Sequence, residues 1–280
     1  VTTPQPRDSA PTHPVGATTA PQIIAHRGNK SVAPENTLAA FVSAIKAGAH
    51  SIEMDIVPSK DGVPMVIHDT TLDATTTGTG HVTDYTATDI AQLDAGSWFD
   101  PAYTGQRVPT FDQFAALIAR HPGVEVLLEF KGDWDTTACA PVLETIDTHG
   151  ISDRTIVQSF NRTTIESLHT LAPTRRRGVL TVTDIDGLIA QCQAANIWTI
   201  NPHVDHVLAN PSLIERIHNA GMRTMIWTAN TPNQWATLVE LGVDAIITDR
   251  PDALAGWYEA HGLTHQTSTN TTPDAEQHTT

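Results

Sequence analysis

The sequence predicts an α/β fold, a closed (β/α)8 barrel with a short insertion after its second strand, and three observations lead there. Eight short apolar runs, each bounded by turn residues, recur along the 280 residues. They alternate with longer stretches of helical period, which is how parallel strands joined by crossover helices read. Polar and charged residues gather where the runs end, as they do at the carboxyl face of such a barrel. A TIM barrel takes about 250 residues as one domain, so the length suits it.

The runs are QIIAHR at 22–27, SIEMDIV at 51–57, VEVLLEF at 124–130, TIVQSF at 155–160, RRGVL at 176–180, IWTIN at 197–201, RTMIWT at 223–228 and DAIITD at 244–249. Between them stand helical candidates such as NTLAAFVSAIKAG, FDQFAALIARH, NRTTIESLHTLA and TPNQWATLVELG. Several close on Gly, a common helix stop. One stretch breaks the rhythm: after MVIH at 65–68, about forty residues pass before the helix near Phe111, a length that marks a functional loop or small insertion. Residues 69–109 therefore read as a lid or subdomain over the barrel mouth. TTTGTG within it lacks the phosphate-loop pattern and reads as a flexible turn.

The net charge of −15 argues against nucleic acid and against adhesion to anionic lipid, because both would be repelled. No apolar run approaches the roughly 20 residues needed to cross a bilayer, so stable membrane insertion is not expected. Residues 1–20, rich in Pro, Thr and Ala, and the Thr-rich 262–280 have few large apolar side chains and read as disordered tails around a barrel domain of 21–261. A start at Val1 leads us to expect a secreted, extracellular protein with its signal peptide already removed. Cys139 and Cys192 fall on non-adjacent helices and read as unpaired. Arg175, Arg176 and Arg177 read as a solvated charge run at the bottom edge.

The chemistry lies in the polar residues that interrupt apolar strands, because a charge at a core position is costly unless paired or metal-bound. Glu53 and Asp55 are two apart, so both carboxylates leave one strand face while Ile52, Met54 and Ile56 turn to the helices. Glu129 and Lys131 share a face in the same way. Three converging carboxylates suit one hard divalent cation, Ca²⁺ or Mg²⁺. His26 and His68 each close an apolar run and offer one imidazole to take a proton and one to give it, as a phosphodiester cleavage requires. Arg27 carries a planar fork of donors matched to phosphate oxygens, and Lys131 adds a second cation. His203 and Asn201, after the sixth run, are further candidates for the mouth.

In order along the chain, AHRGNKSVAPENT, GAHSIEMDIVPSKDGVPMVIHD, LLEFK, VQSFN, MIWTAN and DAIITDRPD resemble the motifs of glycerophosphodiester phosphodiesterases of the bacterial, secreted type. The resemblance runs from about residue 22 to 255. It implies His26 and His68 as the acid–base pair, Glu53, Asp55 and Glu129 as metal ligands, and Arg27 and Lys131 as phosphate anchors. Glu35 and Asn36 would order the first loop, and Trp227 would wall the glycerol moiety. It also implies attack by the neighbouring free hydroxyl through a cyclic phosphate before water completes hydrolysis. Ala74 stands where many relatives have an arginine, which bears on headgroup preference. The implied substrate is a small glycerophosphodiester such as glycerophosphoethanolamine or glycerophosphocholine. Two other readings compete. One is lysophospholipase D action, with Trp98, Phe99 and Tyr103 of the insertion serving a lipid chain; the other is a non-catalytic barrel that binds phosphate esters.

Overall fold

The computed structural model describes residues 20–182 and 186–264. Its parallel strands are β1 (Gln22–His26), β2 (Ser51–Pro58), β4 (Glu125–Phe130), β5 (Thr155–Ser159), β6 (Arg177–Thr181), β7 (Thr199–Pro202), β8 (Arg223–Ile226) and β9 (Ala245–Thr248). They pair in the order β1-β2-β4-β5-β6-β7-β8-β9, and β9 returns to β1, so the sheet closes on itself. All eight predicted runs are barrel strands, and the fold is the expected (β/α)8 barrel.

Side chains alternate along each strand, and the alternation divides the core in two. Outward residues such as Ala25, Met54, Leu128, Val157, Ile200, Ile226 and Ile246 join the large cluster under the helices. Ile24, Leu127, Ile156, Met225, Ala245 and Ile247 turn inward and fill the barrel floor. Two residues further along the same inward face come His26, Glu129, Gln158, Trp227 and Asp249. Strand period alone thus sends a set of polar and aromatic groups to the carboxyl mouth.

The helices between strands are α1 (Leu38–Lys46), α3 (Phe111–Ala119), α4 (Thr136–Thr148), α5 (Arg162–Leu171), α6 (Asp186–Ala194), α8 (Ser212–Asn219), α9 (Pro232–Glu240) and α10 (Pro251–Ala260). Side-chain caps start many of them. Thr37, Thr110, Asp135, Asn161 and Thr231 each accept from a backbone N–H of the first turn, worth about 1 kcal/mol apiece. A short α7 (Val204–Ala209), capped by His203, was not foreseen.

The insertion has a small core of its own. A strand β3 (Pro64–Val66) pairs antiparallel with the upper end of β2, and Met65, Ile67, Leu72, Val82, Ile90, Ala95 and Val108 close a separate small core with Val57. This core includes the short α2 (Ala87–Ile90). TTTGTG is a tied turn, with Thr76 buried, its hydroxyl donating to the Leu72 carbonyl and accepting from Gly78 N. The aromatic trio packs mainly within the insertion: Phe99 stacks edge-on with Trp98 and Tyr103, and Tyr103 Oη donates to the Val32 carbonyl.

The arginine run also departs from expectation. Arg177 is 1% exposed and donates to the carbonyls of Ala172, Pro173, Arg175, Ala195 and Asn196. Arg176 pairs with Glu125 and lies over the Trp198 ring, and Arg175 pairs with Asp147. For Arg177, loop carbonyls at the foot of the barrel, invisible in the sequence, take the guanidinium out of solvent. Cys139 and Cys192 are both free and buried. Ala20 N donates to the Thr264 carbonyl and Leu263 packs on the core, so ordered structure runs three residues past the expected 261. The remaining tail residues, 1–19 and 265–280, lie outside the described residues. Among those described, no helix is long and apolar enough to cross a membrane.

Candidate active site

Strand β2 brings Glu53 and Asp55 inward, and β4, in register beside it with Asp55 opposite Glu129, brings the third carboxylate. One oxygen of each lies within 4.8 Å of the others, and all three residues are buried. Burial and mutual repulsion push the Glu53 carboxyl well above the usual carboxylate range. Burial, with repulsion from Asp55, pushes Glu129 up to about 7. For Asp55 burial acts in the same direction, but Lys131 and Arg27 outweigh it and hold the group ionised.

Two cations face this cluster. Lys131 Nζ is 2.6 Å from Glu129 Oε1 and 3.0 Å from Asp55 Oδ1, yet neither oxygen receives a directed hydrogen bond. Arg27 donates its backbone N–H to Glu53 Oε2 at 3.0 Å and Nη1 to Glu35 Oε1 at 2.7 Å. Its Nε lies 3.3 Å from Asp55 Oδ2 without hydrogen-bond geometry. Asp55 Oδ1 and Glu129 Oε1 are buried without directed donors, and the carboxyls raised by burial and mutual repulsion would ionise beside an added cation. The donor set therefore fits a hard divalent cation.

The loop after β1 is shaped to make these contacts. Arg27 and Asn36 adopt positive φ, 56° and 54°, at a cost of about 1–2 kcal/mol each. The contacts of Arg27 with Glu53 and Glu35 hold the first. Asn36 Nδ2 donates to Asp55 Oδ2 at 2.9 Å and holds the second. Gly28 has φ 85°, and a Cβ there would stand 2.7 Å from the Ala40 backbone. Only glycine lets the loop lie against α1.

Both histidines are oriented by carboxylates. His26 Nδ1 is 2.6 Å from Asp249 Oδ1, and His68 Nδ1 is 2.7 Å from Asp69 Oδ1. Each pairing commits Nδ1 and leaves Nε2 for chemistry. Burial lowers both imidazoles below their ordinary value, against the pull of those carboxylates, and keeps them neutral near pH 7. Asp249 is itself held, its Oδ2 accepting from Asn230 Nδ2 at 2.8 Å and Lys30 Nζ standing 3.6 Å from Oδ1.

His26, Arg27, Glu53, His68, Glu129, Lys131 and Trp227 line one cavity of about 60 Å³ with Gln158, Phe160, Leu180 and Ile247. Over residues 26–253 the sequence matches the glycerophosphoryl diester phosphodiesterase family. The chain belongs to that family. A glycerophosphodiester phosphodiesterase of Caldanaerobacter subterraneus subsp. tengcongensis is 32% identical over 256 residues, covering 83% of this chain and 95% of its own. A solved glycerophosphodiester phosphodiesterase of Agrobacterium tumefaciens superposes with a TM-score of 0.73 at 33% identity, covering 84% of this chain and 99% of the other. An Oleispira antarctica phosphodiesterase solved with the product sn-glycerol-3-phosphate gives 0.81 at 28% identity, covering 86% and 97%. The chain is thus an enzyme, a phosphoric diester hydrolase.

In this phosphodiesterase the residues read from the sequence converge, with Glu35 and Asn36 behind Arg27 and Asp55. The sequence reading missed others. Trp227 is pinned by Nε1 donating to the Asn201 carbonyl at 2.7 Å, and it stacks edge-on with Phe160 and His203 at 5.4 and 4.9 Å between centroids. Phe160, Leu180 and Trp227 make an apolar wall opposite the carboxylates. Asp249 and Phe160 ended predicted strands without receiving roles; counting by twos from Ile247 and Ile156 finds both. No residue of 69–109 lines this cavity, and Trp98, Phe99 and Tyr103 pack on one another within the insertion.

Proposed function

We propose that this phosphodiesterase hydrolyses small glycerophosphodiesters, such as glycerophosphoethanolamine or glycerophosphocholine, to glycerol 3-phosphate and the free alcohol. One divalent cation, Ca²⁺ or Mg²⁺, would be held by Glu53, Asp55 and Glu129. When bound, it supplies Lewis-acid stabilisation of the charge that grows on the phosphoryl group. The observation that carries the reading is the meeting of two carboxylate-oriented histidines with Glu53 and Glu129 around one small cavity, Asp55 completing the buried carboxylate cluster.

Arg27 and Lys131 offer positive donors to the non-bridging phosphoryl oxygens. One imidazole, neutral at rest, takes the proton of the attacking hydroxyl through Nε2; the other must first gain a proton from solvent, which it then passes to the departing alcohol oxygen. Asp249 and Asp69 stabilise the imidazolium each partner becomes. The Phe160–Leu180–Trp227 wall shields the carbon skeleton of the glycerol arm from water, which strengthens the polar contacts opposite.

Product analysis of glycerophosphoethanolamine turnover by ³¹P NMR tests the assignment. Glycerol 3-phosphate with free ethanolamine is expected. Phosphoethanolamine with free glycerol would mean that the other ester bond is cut and that the arms of the diester sit the opposite way round.

A further inference from the structure

Gln158 is the polar residue of the cavity that the mechanism above leaves without a task. It is 1% exposed, faces inward on β5, and pairs in register with Glu129 on one side and Gly178 on the other. Its Oε1 accepts from Asn201 Nδ2 at 2.7 Å. Asn201 belongs to β7, so the bond spans β6 and passes over Gly178. A Cβ on Gly178 would stand 3.1 Å from Asn201 Nδ2 and 3.3 Å from Gln158 Cβ. The glycine makes room for the bridge. Asn201 Oδ1 in turn accepts from Thr199 Oγ1 at 2.7 Å, and both residues are fully buried.

The relay fixes the plane of the Gln158 amide and commits its oxygen. Gln158 Nε2 has no hydrogen-bond partner among the described residues, although the residue lines the cavity beside Glu53 and Glu129. Its Nε2 is therefore open to the cavity and free to donate, while the relay across three strands keeps its direction fixed. A ligand oxygen in the cavity would be its acceptor.

We infer that Gln158 is a specificity-determining residue whose Nε2 donates to a hydroxyl oxygen of the substrate's polyol arm, between the carboxylate cluster and the Phe160–Leu180–Trp227 wall. The inference rests on the function proposed above. The phosphoryl oxygens already face the charged donors Arg27 and Lys131. A neutral amide directly beneath an apolar wall is matched to a neutral hydroxyl. Sites built to bond a hydroxyl discriminate strongly against ligands that lack it, because their own polar group is then left unpaired.

Calorimetric titration of the full chain, with Ca²⁺ and Mg²⁺ supplied, against sn-glycerol 3-phosphate and against inorganic phosphate tests this. Gln158→Leu is expected to weaken glycerol 3-phosphate about 10-fold while leaving phosphate within about 2-fold. Gly178→Ala, which keeps Gln158 but crowds the bridge, is expected to show the same split and serves if the first variant does not fold. Equal losses for both ligands, or no loss for either, would overturn the inference. Failure of the proposed function shows separately, as wild-type protein that turns over no glycerophosphodiester.

Discussion

At the scale of single residues, the two histidines differ in how firmly they are held. His26 is tied to Asp249, which Asn230 and Lys30 hold in turn, whereas His68 leans on Asp69, a more exposed carboxylate. His26→Ala and His68→Ala are each expected to lower kcat for glycerophosphodiesters by about 10³-fold, the typical worth of an acid–base group, with metal binding retained. Steady-state kinetics beside calorimetric Ca²⁺ titration reads this, and near-wild-type turnover in either variant would remove that histidine from the chemistry. Asp249→Asn keeps the size but lets an amide donate to Nδ1, favouring the tautomer with its proton on Nε2. On the pattern of carboxylate-oriented histidines, kcat should fall by roughly 10²-fold or more with little change in KM. A change confined to KM would place Asp249 in substrate binding.

At the scale of elements, the barrel was legible because each strand carries its own evidence: an apolar run, a period of two, and a polar group at its carboxyl end. Glu53 and Asp55 follow from spacing within one strand, and Glu129 from the same inward period on the neighbouring β4. The orientation of His26 does not, since it depends on β9 closing against β1 and bringing Asp249 across 223 positions of sequence. The interior of the insertion was illegible for a related reason: its small core gathers scattered residues from Val57 to Val108 with no periodicity to expose it. Arg177 shows the same limit, because a run of three arginines looks solvated until loop carbonyls converge on the third. Arg177→Met should therefore destabilise the fold by about 3 kcal/mol, the cost of leaving several buried carbonyls unpaired. Urea unfolding reads it, and a loss below about 0.5 kcal/mol would return Arg177 to the solvated edge.

At the scale of the whole molecule, an acidic chain handles an anionic substrate by concentrating positive donors at one point. The net charge is −15, yet Arg27, Lys30 and Lys131 all lie within 4 Å of the carboxylates at the mouth. Those cations are spoken for unless another positive charge joins the carboxylates, so cation binding and substrate binding are coupled in this account. The most direct test is release of glycerol 3-phosphate from glycerophosphoethanolamine, measured before chelation, after chelation, and after adding back Ca²⁺, Mg²⁺ or Zn²⁺. Loss of turnover on chelation and its return with Ca²⁺ or Mg²⁺ are expected. Full turnover by the chelated enzyme, or recovery with Zn²⁺ alone, would contradict a hard-cation centre.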